Sequence, residues 1–222
     1  MRSDEIFVRL QQLPLFMGLS HAEMLSLIER VPLDFASVEP GSHIVAQEQH
    51  CTHAVFIISG ECTATVSAPD GSYSIQERVE APLMFQPECV YGMQQRFSRS
   101  LAAFSSVQTL QIERQYVAWI LRHFEWARVN MMGMLSNATQ RAERNILTSP
   151  PTSISEKLMK FVNDRTLFSH SPVTLHIKMT TLAKFIGESR LNLSRTLHSL
   201  QQQGVLTMTR GVISLHKRRV SG

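Results

Sequence analysis

The sequence predicts an α+β fold of three successive parts: a compact all-β unit, one long helix and a winged helix-turn-helix. Three observations predict it. Between Phe35 and Ile112, Gly41, Gly60, Gly71 and Gly92 punctuate short segments rich in Val, Ile, Thr and Phe, the texture of a compact all-β unit. From Arg114 to Thr148 there is only Gly133 and no proline, which suits a long helix. After Pro150-Pro151 the charge changes sign. Residues 1–150 carry eleven Lys/Arg against fifteen Asp/Glu, and residues 151–222 carry eleven against three. Clustered cations are what phosphate neutralisation needs.

The elements follow in order. Ser20-His21-Ala22-Glu23 is a capping box that starts a helix carrying Met24, Leu25, Leu27 and Ile28, because the serine hydroxyl and the Glu side chain can satisfy each other's backbone N–H. Asp70-Gly71 is a hairpin-turn signal within the β unit. On the long helix Val117, Leu121, Phe124, Met131, Leu135, Ala138 and Ala142 recur at a 4-3 spacing broken by Arg128. A stripe of that length exceeds what a small β unit can cover, so it predicts pairing with a second copy, a homodimer. Pro150 and Pro151 end the helix, and Ser153-Ile154-Ser155-Glu156 starts the next with a second capping box. The alternating Val173 to Lys178 segment reads as a short strand. The domains are accordingly expected at 1–113, 114–149 and 150–222.

The last segment carries the chemistry. Leu182, Ala183, Phe185 and Ile186 define one helix, Gly187 can take the left-handed conformation that stops it, and Ser189 is an N-cap for a second. That helix, Arg190 to about Gln203, keeps Leu193, Leu197 and Leu200 on one face and Arg190, Asn192, Ser194, Arg195 and His198 off it. Two helices across a three-residue turn, with a polar start to the second, form a helix-turn-helix whose second helix suits the major groove of double-stranded DNA. Arg190 and Arg195 can pair with the acceptor edge of guanine and Asn192 can bracket adenine. Ser189, Ser194, Thr180 and Thr181 can reach phosphates or bases. Val205 to Thr209 and Val212 to Leu215, joined by Arg210-Gly211, form a hairpin wing with a basic tip, and Lys217-Arg218-Arg219 adds charge behind it.

Other chemistries find little support. Cys51, Cys62 and Cys89 have no CxxC spacing, which argues against a disulfide framework, zinc or an iron–sulfur cluster and for reduced cytoplasmic thiols. The nine histidines lack an HxxxH pair, so no metal site is expected. No GxSxG, Walker A or dinucleotide glycine cluster occurs, so neither an enzyme nor a cofactor is expected. Met131, Met132 and Met134 read as adaptable packing rather than an oxidation sensor. No run approaches the roughly 18 apolar residues of a membrane span, and no membrane partner is expected.

The order of parts resembles the cyclic-AMP receptor protein and FNR superfamily of bacterial transcription regulators over nearly the whole chain. Leu15-Phe16-Met17-Gly18-Leu19-Ser20 is similar to its entry motif. Gly41, Ile44 and Phe56-Ile57-Ile58-Ser59-Gly60 resemble its β-roll, and Ile186-Gly187-Glu188-Ser189-Arg190 through Arg195, with Leu200 and Gly204-Val205-Leu206, resemble its helix-turn-helix. The resemblance implies a cyclic-nucleotide-binding-like β-roll sensor domain, a dimerisation helix, a DNA-binding winged helix and RNA polymerase as a further partner. Ala81-Pro82-Leu83-Met84-Phe85 with the winged helix resembles an enterobacterial branch of peroxide-resistance inhibitors, which implies control of oxidative-stress genes.

Members of the superfamily that bind cyclic AMP hold it with a Gly-Glu pair and an Arg-Ser pair ten residues after the Glu. Glu88, Arg99 and Ser100 are the nearest match here. Pro87 stands where the glycine would be, removing an N–H donor, and the Glu-to-Arg spacing is eleven. Asn145-Ile146-Leu147 stands about where the adenine-binding Thr-Ser pair would be. The expectation is a regulator independent of cyclic AMP. The alternative is a small-molecule or redox sensor in which the ligand or thiol state of the β-roll switches DNA binding.

Overall fold

The computed structural model describes residues 3–147, 149–168 and 171–216. In chain order it runs α1 (Ser3–Gln11), a 3-10 turn (Pro14–Phe16), α2 (His21–Arg30), β1 (Asp34–Val38), β2 (His43–Val45), β3 (His53–Ser59), β4 (Glu61–Ser67), β5 (Tyr73–Glu80), β6 (Leu83–Phe85) and α3 (Glu88–Tyr91). It continues with β7 (Ser100–Ala103), β8 (Val107–Glu113), α4 (Arg114–His123), α5 (Glu125–Leu147), α6 (Ile154–Asn163), β9 (Val173–Ile177), α7 (Met179–Phe185), α8 (Arg190–Gln202), β10 (Leu206–Thr209) and β11 (Val212–Leu215). Packing divides the chain into two compact units, one of residues 1–62 and 80–140, the other of residues 63–79 and 141–222. Among the described residues no helix is long and apolar enough to cross a membrane.

The first unit is built on a four-stranded antiparallel sheet in the order β1-β8-β3-β6, with β2 paired to β7. β3 buries Ala54 to Ile58 without a break, as its near-continuous apolar run requires. Phe16 from the entry turn meets Phe56 at 5.6 Å between ring centroids. The capping box of α2 closes in both directions: Ser20 N–H donates to Glu23 Oε2 at 2.8 Å and Glu23 N–H to Ser20 Oγ at 3.3 Å. Met24 and Leu27 are buried behind it.

The long helix departs from expectation. It is broken at Phe124, whose backbone is extended (φ −116°, ψ 116°). The reason is packing. Phe124 is buried with its ring edge-on to Trp119 at 5.5 Å, and the carbonyls freed by the break are taken by Arg128, whose Nη1 donates to Leu121 O at 3.0 Å and Arg122 O at 3.1 Å. The residue that interrupts the heptad is therefore a helix C-terminal cap, with its cation at the negative end of α4. The expected stripe is also partly internal. Val117, Phe124 and Met131 are buried within the single chain, Leu121, Leu135 and Ala138 are half-buried, and Ala142 is exposed. The large apolar side chains that α5 leaves open are Trp126, Val129 and Met132, on a different face, and Ile146 and Leu147 in its last turn.

In the second unit the β4–β5 hairpin turns at Asp70-Gly71, where Gly71 has φ +68° and Asp70 Oδ1 accepts from Ser72 N–H at 3.0 Å. β5 pairs antiparallel with β9, from Tyr73 opposite Ile177 to Glu77 opposite Val173. β9 pairs in turn with β11, and β11 with β10. Three helices cover this sheet. Their shared core holds Ile75, Leu158, Phe161, Val162, Leu175, Leu182, Leu193, Leu197, Leu206 and Ile213. α6 begins at the second capping box, with Glu156 N–H to Ser153 Oγ at 3.1 Å and Ser153 N–H to Glu156 Oε2 at 3.1 Å.

Candidate nucleic-acid interface

The helix-turn-helix is laid down by local chemistry. Leu182 and Ala183 anchor α7 in the core. Gly187 then takes φ +66°, a conformation that costs glycine nothing and other residues about 1 kcal/mol or more. Glu188 N–H returns to Ala183 O at 2.9 Å. Ser189 has extended backbone and its Oγ accepts Asn192 N–H at 3.1 Å, which caps α8 and fixes where its first turn begins. Leu193 and Leu197 are buried beneath it. Gly204, at φ +72°, ends the helix, and Val205 N–H bonds to Leu200 O at 3.0 Å.

This anchoring decides which side chains face outward. Ser189, Arg190, Asn192, Arg195 and His198 are exposed and Ser194 is half-buried, so the polar residues expected on the second helix are accessible from its N-cap to its third turn. Among the described residues neither Arg190 nor Arg195 is held in an ion pair, which leaves both guanidinium groups available. Thr180, in the first turn of α7, is exposed and Thr181 half-buried. Arg210 is exposed at the tip of the β10–β11 wing beside Gly211, φ +79°. Lys217, Arg218 and Arg219 lie outside the described residues.

Two cations were not anticipated. Lys178, the N-cap of α7, and Lys184, in its last turn, are exposed in the same unit. Their signal in the sequence is the pair of charges flanking the first helix of the motif.

Glu88, Arg99 and Ser100 belong to the first unit. Glu88 is exposed and opens α3, a helix of four residues whose N-cap is Pro87. Arg99 is half-buried, and Ser100, also half-buried, starts β7. Two residues before Glu88, Gln86 is buried, at φ +47°. Its Nε2 donates to Ser98 Oγ at 2.5 Å and to Glu88 Oε1 at 3.4 Å, and its Oε1 has no hydrogen-bond partner among the described residues. Elsewhere in this unit His50, Tyr91, Gln95, Glu113 and Arg114 line an open cleft of about 550 Å³, where Arg114 donates to Gln95 and Tyr91 Oη–H to Arg114 O at 2.9 Å.

The three cysteines are buried free thiols. Burial pushes Cys62 up to about 11 and, with the nearby Glu88 charge adding to it, Cys89 up to about 11. Cys51 is also raised by burial, against a partial offset from Arg114.

No protein-family model matches the chain, and no curated protein matches it. Solved structures do. A structure assigned to the crp/fnr family of transcriptional regulators, from Eubacterium rectale, is 19% identical, with 92% of this chain and 94% of that one covered at a TM-score of 0.52. The sensor domain of the transcriptional regulator DNR from Pseudomonas aeruginosa is 15% identical, with 68% of this chain and 98% of that one covered, also at 0.52. At such identities the likeness speaks for the fold: α+β, with an N-terminal cyclic-nucleotide-binding-like β domain and a C-terminal helical region, the architecture of the cyclic-AMP receptor protein and FNR regulators.

Proposed function

We propose that this chain is a sequence-specific double-stranded-DNA-binding transcription regulator that acts as a homodimer and does not require cyclic AMP. One observation carries it: the exposed polar start of α8, capped by Ser189 after the left-handed Gly187 and accompanied by Arg210 at the tip of the wing. Helix N-termini in this setting enter the major groove, and dimers place two of them about one helical turn apart at a roughly palindromic site. Arg190 and Arg195 read bases, Asn192 and Ser194 assist, and Ser189, Thr180, Thr181 and Arg210 fix register on phosphate. The second copy is held along α5, through the exposed Trp126, Val129 and Met132.

Independence from cyclic AMP is supported by Pro87, which offers no N–H where a phosphate would need one. Control of oxidative-stress genes and contact with RNA polymerase rest on the family resemblance alone. The thiol form of the sensor reading is disfavoured, because the three buried, proton-retaining cysteines lack the exposed thiolate that redox sensing uses.

The small-molecule form has one observation in its favour, the buried, unsatisfied Oε1 of Gln86 beside Glu88, a place where a donor from a ligand would be welcome.

The test is selection from random duplex DNA by the full chain, with and without cyclic AMP. Recovery of a palindromic motif in both conditions is expected. Recovery only with cyclic AMP removes the claim of independence, and no enrichment removes the regulator reading.

A further inference from the structure

The hairpin of residues 63–79 is an unusual member of its unit. Its two stems are fixed in the first unit, where Ala81 N–H donates to Gly60 O at 3.1 Å, Phe104 N–H to Glu61 O at 2.8 Å and Glu61 N–H to Ser105 Oγ at 2.9 Å. Its body is part of the winged-helix core. Ile75 is fully buried in that core, with Val66 and Tyr73 packed against it.

Polar contacts join the hairpin as closely as the apolar ones. The carboxylate of Glu77, itself 1% exposed, accepts Leu167 N–H and Phe168 N–H, each at 2.6 Å. Arg78 N–H donates to Pro172 O at 3.2 Å. Arg165 Nε donates to Tyr73 Oη at 2.9 Å while its guanidinium lies 4.0 Å from the Phe161 ring centroid. Tyr73 in turn meets Phe185 edge-on at 5.5 Å, and Phe185 is the last residue of α7, directly before the bend that sets α8.

Without β5, strand β9 would be an edge with a row of unpaired backbone groups, the core would lose a fully buried side chain, and the Phe185 ring would lose one of its two aromatic neighbours, keeping Phe161 at 5.3 Å. A helix-turn-helix that needs a strand from elsewhere in the chain is not a self-sufficient domain.

We propose that residues 63–79 are a donated strand pair that completes the DNA-binding unit. Docking of the hairpin and ordering of α8 are one cooperative event, and displacement of the hairpin is the route by which a change in the first unit reaches the DNA-contacting surface. Only that last consequence rests on the DNA reading above; the donation itself does not.

Hydrogen–deuterium exchange of the full chain tests it. Ile75→Ala should speed exchange in 73–79 and in 190–202 together, each by tenfold or more, while β3 and β8 keep their protection. A second variant, Gln76→Cys/Thr174→Cys, joins residues that face each other across β5 and β9, a separation a disulfide can span. Once oxidised it should slow exchange in both segments, and this arm decides the matter if Ile75→Ala fails to fold. Changes confined to 73–79 and 173–177, with 190–202 at the wild-type rate, overturn the proposal. Coupled exchange in a chain that selects no DNA sequence upholds the donation and removes the regulator reading instead.

Discussion

Lys157 and Glu188 form an ion pair with Nζ 2.5 Å from Oε1, joining the first turn of α6 to the bend between α7 and α8. Both side chains are mostly shielded from solvent, so the pair is worth more than a fully exposed one, for which less than about 1 kcal/mol is usual. Glu188→Gln keeps the shape and removes the charge. It should cost about 1 kcal/mol of stability, read as a lowered urea midpoint at unchanged slope; an unchanged midpoint would show that the pair does not brace the bend.

Removal of a base-reading arginine should differ from removal of a phosphate contact. Arg195→Ala should cost about 1–3 kcal/mol of binding and relax sequence preference at one position of each half-site. Arg210→Ala should weaken binding to all sequences alike and reduce the salt slope by about one. Binding isotherms for matched and mismatched duplexes across a salt series separate the two, and identical behaviour of both variants would contradict the division of roles.

The helix break makes its own prediction. Arg128→Ala leaves the carbonyls of Leu121 and Arg122 without their donor and should destabilise the first unit by about 1–2 kcal/mol, whereas Trp126→Glu/Met132→Glu should leave the single chain folded and shift it from dimer to monomer. Sedimentation velocity with thermal unfolding distinguishes them. A dimeric Glu double variant would show that the second copy is held elsewhere.

The buried thiols predict a dependence on alkaline pH. Cys62 and Cys89 hold their protons to about 11 in the folded chain, above the roughly 8.5 of an unfolded cysteine. The stability they contribute is therefore fully present below about pH 8.5 and is lost as pH rises through about 11. The fall in urea midpoint between pH 8 and 10.5 should be smaller in Cys62→Ala/Cys89→Ala than in the wild type. Alkylation of the native protein at pH 8 should be slow and governed by unfolding; rapid labelling would reopen the thiol reading.

What the sequence revealed was what is local. Ser20 with Glu23, Ser153 with Glu156, Asp70-Gly71 and the Gly187-Ser189 bend each have their cause within four residues, and each was legible. The polar face of α8 was legible too, because Leu193 and Leu197 fix which side is buried. The partner of β5 was not: Ile75, Glu77 and Val79 alternate as in any half-buried strand, and nothing in that pattern names a strand about a hundred residues later. Nor did the break at Phe124 carry a glycine or proline to mark it. Arg128 was visible as a fault in the heptad, but its use as a cap for α4 depends on a backbone geometry that composition does not encode. The burial of Glu77 was illegible for a related reason, since a carboxylate in a strand ordinarily faces water and only the loop at Leu167 and Phe168 explains it.

The most direct measurement is genome-wide DNA occupancy in the native cell for the wild type and for a folded Arg190→Ala/Arg195→Ala variant, with and without peroxide. Discrete peaks sharing a palindromic motif, lost in the variant, are the predicted result, and peaks near stress genes that respond to peroxide would extend it to oxidative-stress control. Peaks retained by the variant, or absent from both proteins, would contradict sequence-specific binding through α8.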